Sequence, residues 1–141
     1  MTPMSCQRFL PHFVDLRLWP PGGKEVDKMQ KETLMSFQRM DAYQVAREIA
    51  RLVHLADIRD AELRDQATRA AKSAFLNLCE GLPNDSVALR RKYFVQSNNS
   101  LHETAGAIDL AAAIGAVAEE QARDIQALAI RLKQMLKALR K

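Results

Sequence analysis

The sequence predicts an all-α protein, an antiparallel up-down-up-down four-helix bundle behind a poorly structured N-terminal tail. Three observations lead there. Hydrophobic residues fill 48% of the 141 positions while aromatics fill only 6%, so a core must come from aliphatic side chains and alanine. Gly and Pro number only five each, and Pro3, Pro11, Pro20, Pro21, Gly22 and Gly23 all precede residue 36. After Asp41, apolar residues recur every three or four positions, the period of a helix that buries one face.

Residues 1–36 read as a tail or loosely docked arm, since prolines and glycines at that density interrupt both helix and strand. Initiation at Met29, Met35 or Met40 would shorten it. Residues 37–141 form the expected bundle. Its first helix, Met40 to about Ala56, carries Ala42, Ala46, Ile49, Val53 and Ala56 as one stripe, widened by Tyr43, Ala50 and Leu52. Asp60 is placed to cap the second helix, with Glu62 in its first turn. That helix runs to about Glu80, and its inner positions Leu63, Ala67, Ala70, Ala74 and Leu78 are mostly alanine, which lets a neighbour come close. Gly81 is expected as its C-terminal cap, with Pro83 preventing continuation.

Asp85 or Ser86 caps the third helix, whose seam is Phe94, Ser97, Leu101, Thr104, Ile108 and Ala111, half of it small or polar. Gly115 breaks the chain before the fourth, where Ala118, Ala122, Ile125, Ala129, Leu132, Leu136 and Leu139 alternate four and three. Leu128 and Met135 sit beside that seam and Ile130 largely outside it, an apolar arc broader than one core requires, so self-association is expected. Short connections force the helices to alternate in direction.

With 21 Lys and Arg against 17 Asp and Glu, the net charge of +4 permits a polyanionic partner without requiring one. The two cysteines, Cys6 and Cys79, are expected as free thiols in a reducing cytoplasm. The longest apolar run, Leu110 to Ala118, is half of what a bilayer span needs, and Arg8, His12, Asp15 and Arg17 interrupt the one stretch that could serve as a secretory signal. The expectation is a cytoplasmic protein without a membrane partner.

Chemistry-bearing patterns are few. No Glu stands three residues before His12, His54 or His102, so the Glu-x-x-His pairs of metal-binding bundles are missing. Glycine-rich phosphate loops, Cys-x-x-Cys pairs and His-Glu-x-x-His are missing too. Cys79 with His102 is the one nucleophile-and-base pairing to weigh, and a helical Cys on an apolar face is more often packing. No catalytic, cofactor-binding or metal-ligating residue is therefore expected, and no enzyme.

Two polar features remain. Within Gln96-Ser97-Asn98-Asn99-Ser100 at least two residues must face inward. Asn77 and Glu80 share one face of helix two, Ser100 and Glu103 one face of helix three, and the four are expected to meet as a cluster that fixes register. A ligand pocket is disfavoured because a buried unpaired carboxylate costs several kcal/mol, although Arg69 or Lys72 could neutralise one. The second feature is basic: Arg90, Arg91 and Lys92 open helix three, and Arg131, Lys133, Lys137, Arg140 and Lys141 close the chain with no acid after Asp124. These are candidate nucleic-acid contacts, and equally the cations that a helix C-terminus and a solvated face favour. Tyr43, Phe75, Tyr93 and Phe94 are the aromatics after Asp41, too few for base stacking, so any contact would be to the phosphate backbone.

The residues also carry a resemblance. Phe37-Gln38-Arg39-Met40-Asp41-Ala42-Tyr43-Gln44-Val45-Ala46 resembles the opening of the bacterial four-helix-bundle family of 23S rRNA intervening-sequence proteins, which begins with an aromatic, a Leu, then Trp or Tyr followed by Gln and Ala. Ser73 through Asn77-Leu78-Cys79-Glu80-Gly81 is similar to its Ser-Ile-x-x-Asn-Ile-Ala-Glu-Gly signature. Tyr93-Phe94 and Ser100-Leu101-His102-Glu103 are similar to its Phe-Leu and Gly-Ser-Leu-x-Glu signature. Asn99 stands where that family usually has Gly, Ala105 where it often has a second Glu, and Cys79 where it has Ala. The resemblance implies a left-handed antiparallel bundle that assembles as a homopentamer around a central channel. Related accessory proteins of diversity-generating retroelements share the bundle and bind a reverse transcriptase and nucleic acid. Together these readings give the expectation of a non-catalytic homo-oligomeric scaffold binding RNA or DNA through a basic surface, the alternative being a protein–protein adaptor without nucleic acid.

Overall fold

The computed structural model describes residues 34–141, so the expected tail falls, up to residue 33, outside the described residues. A 3-10 turn, Ser36–Arg39, leads into four α-helices: α1 (Asp41–Leu55), α2 (Ala61–Gly81), α3 (Val87–Ala113) and α4 (Glu119–Leu139). Each helix packs on the next and α4 returns to α1, with α2–α3 the most extensive interface. This is the all-α four-helix arrangement that the periodicity predicts, and the alanine face of α2 explains the close α2–α3 approach: Ala67, Ala70, Ala71 and Ala74 are all buried.

The expected seams are the observed core except at helix ends: Ala118 precedes α4 as its N-cap and is exposed, and Leu63 and Leu139, in the first and last turns of their helices, are only half-buried. Ala42, Ala46, Ile49 and Val53 of α1 are buried, as are all six seam residues of α3 and Ala122, Ile125, Ala129, Leu132 and Leu136 of α4. On α4 a single copy uses more of the apolar arc than expected: Leu128 is 1% exposed and Met135 half-buried, leaving Ile130 at 60%. The surplus is spread instead over all four helices, with Leu55, Leu76, Val87, Leu110, Ile114 and Ile130 among the exposed positions.

Local chemistry sets the helix ends. Asp60 Oδ1 accepts from the Leu63 amide at 2.9 Å and Ser86 Oγ from the Leu89 amide at 3.3 Å, so Ser86, not Asp85, caps α3. Gly115 (φ 72°) ends α3 in a Schellman motif: its amide donates to the Ala112 carbonyl at 3.1 Å and the Ala116 amide to the Ala111 carbonyl at 2.8 Å. Gly81 does not act as the left-handed cap expected of it. It is the last helical residue of α2, followed by Leu82 in the right-handed region. What demands glycine there is space: a Cβ would lie 2.7 Å from Phe94 Cε1 and 2.9 Å from Cδ1.

Two connections meet at one end of the bundle. The Arg59 amide donates to the Ala116 carbonyl at 2.8 Å and its guanidinium to the Gly115 carbonyl at 2.5 Å, tying the α1–α2 link to the α3–α4 link. Ile58 and Val117, from these two links, close that end of the core at 1% and 3% exposure. At the other end Tyr43 packs between Phe37 (5.8 Å, edge-on) and Phe75 (5.1 Å), while Gln44 Nε2 donates to the Gln38 carbonyl at 2.7 Å, docking the 3-10 turn onto α1. Among the described residues no helix is long and apolar enough to cross a membrane.

Candidate nucleic-acid interface

Because α3 and α4 are antiparallel neighbours, the start of one lies beside the end of the other. Two basic groups separated by forty residues of sequence therefore share one end of the molecule. Arg91, Lys92, Lys133, Lys137 and Lys141 are exposed there, and Arg90 and Arg140 half-buried. Arg90 lies over the Phe94 ring at 5.7 Å, its charge held against the aromatic face. Lys133, Lys137 and Arg140, at i, i+4 and i+7, occupy one face of α4. Arg131 does not join them: two residues before Lys133, it is half-buried on the far side of the helix.

The opposite end carries the other sign. Asp57, Asp60 and Glu62 surround the start of α2, and Asp109, Glu119, Glu120 and Asp124 the turn from α3 to α4. The modest net charge thus conceals an axial bias: acids outnumber bases at this end, which also holds Arg59, Arg64 and Arg123, and bases outnumber acids at the other, which also holds Asp41, Glu80 and Asp85. Burial first, then Glu120, push the Asp124 carboxyl up from its ordinary 3.8, with Arg123 opposing. A raised carboxyl pKa means the fold holds the proton more tightly than the unfolded chain does. Stability from this group is present below the ordinary value and lost as pH rises through the folded one. Asp124→Asn is accordingly expected to melt higher than the parent at pH 7, an advantage that disappears in paired melts at acid pH.

The polar residues between α2 and α3 sort into separate contacts. Ser73 Oγ and Ser100 Oγ are 2.9 Å apart, and Asn77 Nδ2 donates to Ser73 Oγ at 3.2 Å and to the Ser73 carbonyl at 2.9 Å. Ser97 Oγ donates to the Ala74 carbonyl at 2.7 Å and Thr104 Oγ1 to the Ser100 carbonyl at 2.9 Å. Asn77 and Ser100 are thus brought together, through Ser73. Glu80 and Glu103 are not: Glu80 is exposed at the far end of α2, and Glu103 accepts from Gln66, fourteen positions earlier in that helix. Arg69 and Lys72 are exposed, and Arg69 Nε reaches the Asp65 carbonyl at 3.4 Å.

Cys79 and His102 are kept apart. Cys79 lies two residues before Gly81, which touches Phe94, whereas His102 is two turns further along α3. Burial also pushes the Cys79 thiol up, away from the thiolate a nucleophile needs. Cys6 and His12 lie outside the described residues.

A sequence model of the 23S rRNA-intervening sequence protein family matches residues 37–138, from the 3-10 turn through nearly all of α4. The chain belongs to that family. Comparison with curated proteins gave no match. In this intervening-sequence protein the residues that carry the family resemblance hold helices together: Phe37 and Tyr43 dock the entry turn, Ser73, Asn77 and Ser100 bridge α2 and α3, and Gly81 makes room for Phe94. The cations at the basic end lie outside these motifs, apart from Arg90 stacked on Phe94.

Proposed function

We propose that this protein is a non-catalytic, homo-oligomeric cytoplasmic scaffold that binds RNA or DNA by the basic end of its bundle. The observation that carries the reading is the convergence of Arg91, Lys92, Lys133, Lys137, Arg140 and Lys141 at one end, where they outnumber Asp41, Glu80 and Asp85, while most of the acids lie toward the other. Cations placed so can release counterions from a phosphate backbone, and a nearby acidic surface would only repel it. Self-association is supported by the exposed Leu76, Leu110, Ile114 and Ile130, which no other helix of the same copy covers. The resemblance extends that expectation to a pentamer.

Binding of a labelled oligonucleotide followed against salt tests the reading. Affinity is expected to fall steeply between low and physiological ionic strength, and replacing Arg91 and Lys92 by Ala to flatten the log–log slope by about 1 to 2. Absence of binding at low salt would leave the adaptor reading, in which the apolar positions contact another protein such as a reverse transcriptase. Light scattering at micromolar concentration reports the assembly, and a stable monomer would overturn the oligomeric part.

A further inference from the structure

Every buried side-chain polar atom among the described residues has a hydrogen-bond partner except Asn98 Oδ1. Asn98 is 9% exposed, whereas its neighbours Ser97, Ser100 and Thr104 all find partners. An unmet buried acceptor works against folding, and Leu would fill the same position without that penalty. The amide nitrogen, which also has no partner within the protein, is not sealed in the same way, and Asn98 lies two turns before Ala105 on the same face of α3.

The register shows what lies beside it. Gln126 Nε2 donates to the Ala105 carbonyl at 2.8 Å, fixing α4 against α3. Seven residues are two helical turns, so stepping back from Ala105 and forward from Gln126 sets Asn98 level with Lys133. A second step sets Arg91 level with Arg140. In the opposite direction the same seam opens into a cleft of about 260 Å³ lined by Asp109, Glu119 and Arg123 over Ala112 and Ala122. The seam therefore runs from carboxylates at one end to paired cations at the other, with the unsatisfied amide where the basic stretch begins.

We propose that the basic half of the α3–α4 seam, with Asn98 on its floor and Lys133, Arg91 and Arg140 along it, is the track on which a nucleic-acid backbone lies. Asn98 is its uncharged positioning contact. The amide donates to a phosphate oxygen between two levels of cations, and the acidic cleft beyond Gln126 stops the strand from running further. This rests on the nucleic-acid reading above and adds the path and a contact that net charge does not supply.

The test uses the full chain, a short fluorescein-labelled oligouridylate, and the variants Asn98→Leu and Lys133→Ala. Asn98→Leu is expected to melt above the parent, keep the parent's scattering mass, and bind more weakly by roughly tenfold or more with an unchanged salt slope, as loss of one uncharged donor to a phosphate oxygen requires. Lys133→Ala is expected to lower the slope by about 0.7. Parent-like affinity in Asn98→Leu overturns the proposal, as does a changed scattering mass with affinity retained, which would make Asn98 a device for assembly. If the parent itself fails to bind at low salt, the nucleic-acid reading falls and takes the track with it, a result distinct from binding that ignores Asn98.

Discussion

Leu132→Asp is expected to leave a chain without a cooperative melting transition. Leu132 has no exposed surface and sits on the α4 seam between Ile125 and Leu136, which are buried as completely. The substitution removes a leucine worth roughly 2 to 5 kcal/mol in a packed core and leaves a carboxylate whose unpaired burial costs several more. Domains of this size are stable by about 5 to 15 kcal/mol, so little or nothing remains. Ile125→Asp is expected to behave alike. Gln134→Asp is the control on the same helix: an exposed polar position, it should melt within about 0.5 kcal/mol of the parent. A Leu132→Asp protein that melts like the parent would mean that α4 presents a different face to the core.

The second large effect belongs to Gly81. Any side chain there enters the space of the Phe94 ring, which is fully buried and held from above by Arg90. Overpacking of this kind costs about 1 to 3 kcal/mol, against which Ala in place of a helical Gly returns up to about 1. Gly81→Ala is thus expected to be mildly destabilised and Gly81→Val strongly so, by roughly 3 kcal/mol, since a branched side chain cannot use the little room there is. Phe94→Leu should relieve part of the Gly81→Val loss, and that coupling, read by denaturant melts of the two single variants and the double, checks the contact itself. Strictly additive losses would show that the glycine serves its backbone conformation after all.

Gly81 also shows where reading the chain alone falls short. A glycine at the end of a helix and two residues before a proline carries the pattern of a left-handed cap, and Gly115, without the proline, is the one that takes that conformation. The reason for Gly81 lies across the α2–α3 link in Phe94, a contact no local pattern encodes. The seams, by contrast, were legible except at the helix ends, where Leu63, Ala118 and Leu139 are not buried, because burial of one face imposes a period on the residues themselves. The polar cluster was legible in part. Asn77 and Ser100 meet, but moving from Asn77 to Glu80 along α2 runs toward lower numbers on an antiparallel α3, away from Glu103, which therefore meets Gln66. Antiparallel order likewise unites the two basic groups, though only the Gln126–Ala105 bond reveals which residues lie level. The apolar arc of α4 overstated what is left for a partner, since its width is consumed by packing Leu128 within one copy.

In the proposed nucleic-acid reading, position, not net charge, makes the basic end an interface, and matched charge removal separates the two. Lys133, Lys137 and Arg140 are replaced by Ala in one variant, and Arg64, Arg69 and Arg123, which lie toward the acidic end, in another, so both lose three positive charges. Oligonucleotide affinity is then measured across a range of salt for each. The slope is expected to be shallower by about 2 in the first variant, with markedly weaker binding at low salt, and parent-like in the second. Equal losses in both variants would contradict that reading.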